Sequence, residues 1–213
     1  MKKSLLVGLL GLAVTAAQSF GQGIITLDNY LSNGGNGGPG FVTYGAGVDA
    51  DGVLGGANGT PGAGIGNGWT VGFYWVAGNQ VANVNADPSG TDFPSGGGLT
   101  LATGSGSTAA SNPFGTAGAY LGTGTFTTPG VATGGTITVV LIGYSTAAGS
   151  YVNSVNWRGH SSAFTMTVAD PTGAANKTGD FAPGFNILPV PEPSVFALSG
   201  LGAAVLMLIR RKK

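Results

Sequence analysis

Residues 135–144 read GTITVVLIGY. Side chains alternate across a strand, so Ile137, Val139 and Leu141 share one face while Val140 and Ile142 occupy the other. A strand that is apolar on both faces belongs in the middle of a sheet, covered from two sides. Residues 69–76, WTVGFYWV, alternate in the same way, with Trp69, Val71, Phe73 and Trp75 on one face and Thr70, Gly72 and Tyr74 on the other. These two strands are the expected core. Further strands are expected at 81–84, 119–126, 151–155 and 163–168, and a short alternating run spans 24–27. All are rich in β-branched and aromatic residues and are punctuated by glycine, proline and asparagine. Nothing between residues 23 and 190 sustains a helical period. The pattern predicts a mainly β domain, an antiparallel β-sandwich of jelly-roll-like type with Gly-rich loops.

Composition supports that class. Glycine supplies 42 of the 213 residues and charged side chains only 8%, against roughly a quarter charged in ordinary soluble domains. Disordered chains are poor in aromatic and β-branched residues, whereas this one has 9% aromatics and abundant Val, Ile and Thr. The tracts NGGNGGPG at 33–40 and GGANGTPGAGIGNG at 55–68 read as turn-rich loops. With both ends set aside, the remaining length suits one domain with one core. The absence of cysteine excludes a disulfide framework, a thiol nucleophile and a Cys-ligated metal.

Charge is distributed by position. Lys2 and Lys3 lie at one end and Arg210, Arg211, Lys212 and Lys213 at the other, leaving Arg158 and Lys177 between them. The acids Asp28, Asp49, Asp51, Asp87, Asp92, Asp170, Asp180 and Glu192 all fall in the middle. An acidic middle cannot neutralise a run of phosphates, so nucleic acid is not an expected partner. Cations confined to the ends point to membrane topology.

The first residues, MKKSLLVGLLGLAVTAAQSFGQ, have two lysines, an apolar run and then small polar residues. That layout is a secretory signal peptide over 1–21, a substrate for the Sec translocon and signal peptidase, with Ser19 or Gly21 as the residue before cleavage. The last residues, VPEPSVFALSGLGAAVLMLIRRKK, give sixteen uncharged positions from Ser194 to Ile209. As a helix these span about 24 Å, slightly under a ~30 Å hydrocarbon core, a shortfall that snorkelling cations and local thinning absorb. The basic stop Arg210–Lys213 would remain cytoplasmic, leaving everything before Pro193 outside an inner membrane. Pro189, Pro191 and Pro193 keep the approach to this helix extended.

Val190, Pro191, Glu192 and Pro193, followed at once by an apolar helix and a basic terminus, resemble the PEP-CTERM (VPEP) sorting signal, also known as the ice-binding protein C-terminal domain. The likeness covers 189–213, with the motif at 191–193, the transmembrane helix at 194–209 and the basic tail at 210–213. It implies handling by an exosortase, a membrane protease–transpeptidase of Gram-negative-type bacteria that also make exopolysaccharide. The cell-wall sortase motif Leu-Pro-x-Thr-Gly is not met, since Leu188-Pro189-Val190 continues as Pro191-Glu192. Residues 120–167 also resemble the β-rich ectodomains found upstream of such tails in Verrucomicrobia-like proteins, a likeness that assigns no activity.

Within the expected ectodomain, 22–188, few residues point to chemistry. His160 is the single histidine, beside Arg158 and Ser161, and no G-x-S-x-G elbow supplies the rest of a nucleophilic triad. Asp49-Ala50-Asp51-Gly52 opens like a calcium loop, but Val53 and Thr60 stand where oxygen ligands belong, leaving at most an irregular Ca²⁺ site at Asp49 and Asp51. Trp69 and Trp75 share a face with Val71 and Phe73 and read as core, whereas Trp157, between Asn156 and Arg158, is the candidate glycan contact. The Thr-x-Thr pairs at 123–127, 136–138 and 165–167 lack a repeat period and read as wet strand faces rather than an ice-binding ladder. The expectation is a non-enzymatic cell-surface or matrix protein, structural and associated with exopolysaccharide in a biofilm. The alternatives are a carbohydrate-binding module, a secreted hydrolase or an ice-binding protein.

Overall fold

The computed structural model describes residues 22–30, 40–47, 61–111 and 118–190. In chain order its strands are β1 (Ile24–Asp28), β2 (Val42–Tyr44), β3 (Trp69–Ala77), β4 (Val84–Asn85), β5 (Ser95–Gly96), β6 (Thr100–Leu101), β7 (Thr108–Ser111), β8 (Tyr120–Thr127), β9 (Thr136–Ser145), β10 (Trp157–His160), β11 (Phe164–Thr167), β12 (Asn176–Lys177) and β13 (Phe185–Pro189). The expected signal peptide at 1–21, Asp49 and Asp51, Pro191, Glu192 and Pro193, the helix at 194–209 and the cations Arg210, Arg211, Lys212 and Lys213 lie outside the described residues. Among the described residues no helix is long and apolar enough to cross a membrane.

The two expected core strands pair with each other. β3 and β9 run antiparallel from Trp69↔Ser145 to Ala77↔Ile137, and on its other edge β9 pairs with β10 and then β11. Covered from both sides, β9 buries both its faces: Ile137, Val139 and Leu141 on one and Val140 and Ile142 on the other. Removing a side chain of this size from water contributes about 1.5–3 kcal/mol. Trp69, Val71 and Phe73 of β3 are equally buried, and Phe73 meets Phe126 of β8 edge to face with centroids 5.0 Å apart.

Eleven strands form one sheet in the order β12-β1-β8-β7-β3-β9-β10-β13-β2, with β6 added to β3 and β11 to β9, while β4 and β5 pair separately. The sheet curls on itself. A bridge from Ile24 to Ala169 ties β1 to the residues after β11. Hydrogen bonds from Val42 N to Gly118 O and from Gly118 N to Ile65 O tie β2 to the segment entering β8. The mainly β expectation holds, but one curled sheet stands where two stacked antiparallel sheets were expected, and β1–β12 and β2–β13 are parallel pairs. A single sheet suffices because its curl brings Ile25, Phe73, Phe126, Leu141 and Ile187 into one continuous core.

A buried polar pin holds the rolled sheet together. Asn29 is fully buried; its amide donates to Gly40 O at 3.0 Å and Gly118 O at 3.3 Å, and its oxygen accepts Tyr120 N at 2.6 Å. One side chain thus satisfies backbone groups of two other segments, which burial would otherwise leave costly. At the turn before β7, Gly106 has φ 79, and a Cβ there would collide with the backbone of Thr125 and Phe126 in β8.

Two expected strands are absent. Residues 81–84 form a 3₁₀ turn, Val81–Asn83, before the short β4, with Asn83 donating its side-chain amide to Gln80 Oε1. Residues 151–153 form a turn and 154–155 have no regular structure, because Ser150 Oγ takes Asn153 N and Ser154 Oγ bonds Ser145 N and Trp157 O. Such local side-chain bonds compete with ladder formation.

Candidate functional site

The end of the described chain is built into the sheet. β13 lies between β10, to which it is antiparallel, and β2, to which it is parallel. Phe185 and Ile187 face inward at 4% and 0% exposure, and Asn186 faces out. The pairing depends on Gly159 of β10, where a Cβ would sit 2.9 Å from the Asn186 carbonyl carbon and 3.2 Å from Ile187 Cα. Past the strand, Val190 N donates to Asn156 O at 2.7 Å. The last strand thus extends to Pro189, and Val190, the first residue of the quoted Val190–Pro193 motif, follows it directly.

Trp157 requires a correction. Instead of presenting its ring to a glycan, it is 5% exposed and lies in the main core cluster, at the start of β10 opposite Pro189. Its polar neighbours do not bring it to the surface, because β10 is covered on both edges, by β9 and β13, so even Gly159 and His160 are buried. Trp69 lies in the core as expected, with Trp75 packed against it. The threonines divide: Thr123, Thr125 and Thr127 are exposed, but Thr138 is buried, donating to Gly78 O and accepting from Gln80 N.

Beside the exit lies a polar cavity of about 60 Å³ lined by Asn85, Asp87, Gly90, Asp92, Phe93 and His160. Sequence reading overlooked it because its walls come from a loop and from the end of β10, far apart in the chain. His160 is 1% exposed, and its Nδ1 lies 3.0 Å from Ser161 O. Burial pushes the His160 pKa down, opposed by the hydrogen bond to the Ser161 carbonyl and by Asp87 and Asp92. Hydrogen bonds from Ser89 N and Oγ to Asp87, at 2.9 and 2.7 Å, hold that carboxylate below its usual range. Ser161 Oγ donates to Ser162 O and accepts Leu141 N, so this hydroxyl is engaged by backbone rather than by the imidazole. Among the described residues no group of three or more His, Cys, Asp or Glu side chains is placed to hold a metal ion.

The loop forming this cavity is pinned to β10 by one cation. Arg158 donates Nε to Thr91 O at 2.7 Å, and its guanidinium lies 4.3 Å from the Phe93 ring centroid and 5.4 Å from that of Tyr151. Tyr151 OH donates to Asp92 O at 3.2 Å. A shallow groove of about 280 Å³ continues past Gly90, lined by Ala46, Ser89, Thr91, Leu188 and Pro189. The cavity, the groove and the departing chain thus share one end of the sheet.

Residues 189–212 match the family described as the PEP-CTERM protein-sorting motif. No curated protein and no solved structure gave a match to the chain.

Proposed function

We propose, from the premise that this chain carries a PEP-CTERM protein-sorting motif at residues 189–212, that it is an exported bacterial surface or matrix protein addressed by an exosortase. The match carries the reading, and the position of Val190 directly after the last strand among the described residues supports it. On this reading residues 1–21 direct export, 194–209 hold the precursor in the inner membrane with the β domain outside, and 210–213 stop transfer. The exosortase recognises Pro191-Glu192-Pro193 and releases the domain to the cell surface. The mature domain is a non-enzymatic structural component of an exopolysaccharide matrix. Engagement of the Ser161 hydroxyl by backbone argues against Ser161 as a nucleophile beside His160.

Mass spectrometry of the mature protein from its host tests the address: the expected species lacks residues 194–213, and a mature form retaining them refutes sorting with cleavage. A carbohydrate-binding reading is favoured by the polar cavity, where Asn85, Asp87, Asp92 and His160 offer the mixed donors and acceptors that sugar hydroxyls need. Glycan-array binding lost in Asp92→Asn would support it, and silence across glycans would favour the structural role.

A further inference from the structure

Six large hydrophobic side chains are exposed among the described residues: Val81, Phe93, Leu101, Val152, Val155 and Phe181. Three of them gather where the chain leaves the sheet. Val155, 65% exposed, precedes Asn156, whose carbonyl holds Val190 N. Val152, 58% exposed, lies in the turn at 151–153, whose Asn153 O accepts Val155 N at 2.9 Å. Phe93, 42% exposed, packs edge to face on Tyr151 with centroids 5.5 Å apart and carries Arg158 over its ring. Arg158 is one of two cations between the chain ends. Apolar tips around an arginine–aromatic stack suit the boundary between lipid headgroups and acyl chains.

The length of chain beyond this end indicates what covers it. Only Pro191, Glu192 and Pro193 separate Val190 from the apolar run beginning at Ser194, so the gap from 190 to 194 spans at most about 14 Å. The run itself is about 24 Å as a helix, too short for a ~30 Å core to leave slack that would lift the domain away. We propose that the exit end of the sheet rests on the outer surface of the membrane, with Val152, Val155 and Phe93 seated in the headgroup layer. This rests on the reading of 194–209 as a membrane helix. Asp87 and Asp92 flank the same loop, so anionic headgroups gain little here. The contact is apolar and forms on zwitterionic lipid.

The chain contains no cysteine, so single cysteines introduced by Val152→Cys, Val155→Cys, Val81→Cys and Leu206→Cys can each carry an environment-sensitive fluorophore. Val81 follows the far end of β3 and reports the opposite pole. The full chain is reconstituted in phosphatidylcholine vesicles with or without spin-labelled lipid. The expected result is blue-shifted, lipid-quenched emission at 152, 155 and 206, with 81 remaining aqueous. Quenching at 206 while 152 and 155 behave like 81 overturns the docking and leaves the helix standing. An aqueous 206 overturns the helix and the docking with it, and equal quenching at 81 overturns the orientation.

Discussion

Gly159→Ala should unfasten the last strand. A Cβ at this position would lie 2.9 Å from the Asn186 carbonyl carbon and 3.2 Å from Ile187 Cα, and closer still to the Asn186 oxygen. Carbon atoms rest at about 3.5–4.0 Å, so β10 and β13 must part by roughly an ångström, with backbone atoms that cannot rotate away. That separation carries ladder bonds of about 2.9 Å beyond hydrogen-bonding range. It strains the Trp157↔Pro189 and Arg158↔Leu188 pairings and loosens Phe185 and Ile187 in the core. At about 1 kcal/mol per lost bond plus the packing loss, the expected destabilisation is about 3–4 kcal/mol. Two other strand glycines calibrate it. Gly143→Ala meets side chains, Ile187 Cδ1 at 2.6 Å and Phe185 Cε2 at 3.1 Å, and should cost less. Gly72→Ala meets nothing nearer than 3.5 Å and should fall within about 1 kcal/mol of the parent, with reduced unfolded-state entropy in its favour. Urea unfolding of the three variants gives the order directly. A Gly159→Ala loss below about 1 kcal/mol, or one no larger than that of Gly72→Ala, would refute the close approach of β10 and β13.

Asn29→Ala removes three hydrogen bonds and takes their side-chain partner from Gly40 O and Tyr120 N, while Gly118 O keeps its bond from Val42 N, so a loss of about 2–4 kcal/mol is expected in urea unfolding. Asn29→Asp keeps the acceptor for Tyr120 N but loses both donors, and should be no better tolerated. Trp157→Ala should cost about 3–5 kcal/mol as a core truncation, whereas a surface glycan contact would leave the unfolding midpoint nearly unchanged. Alkaline pH should unfold the domain: burial raises the Tyr120 and Tyr151 pKa values, so the unfolded chain ionises first, and stability falls as pH rises above about 10. Tyrosinate absorbance should then appear together with loss of the β circular-dichroism signal. At the acid end the folded His160 pKa is depressed below 6.5, so the unfolded chain binds the proton first. Stability should decline as pH falls from there, and His160→Gln should flatten that part of the profile.

The strands that could be read from sequence were those whose own residues settle their surroundings. β3 and β9 carry enough alternating bulk to fix both faces, and the structure buries Trp69, Val71, Phe73, Ile137, Val139 and Leu141 together. β5, β6 and β7 read SG, TL and TAAS; they lack local bulk and are strands because a neighbour offers an edge. β10, WRGH, is the instructive failure. Its polar and small residues give no strand pattern of their own, yet a position between β9 and β13 makes glycine necessary at 159 and buries tryptophan at 157. The same long-range pairing hid the cavity around His160. The sorting motif was legible because its recognition depends on contiguous residues.

β13 supplies the outer partner of β10 and the strand pairing of β2, so residues 185–189 join segments from opposite ends of the described chain. A chain emerging N-terminus first across a membrane would hold β2 waiting through the passage of more than a hundred residues. Its pairing strand arrives just ahead of the address itself. Completion of the fold and exposure of the address would then be nearly simultaneous events, and a chain cut short before residue 185 would possess neither.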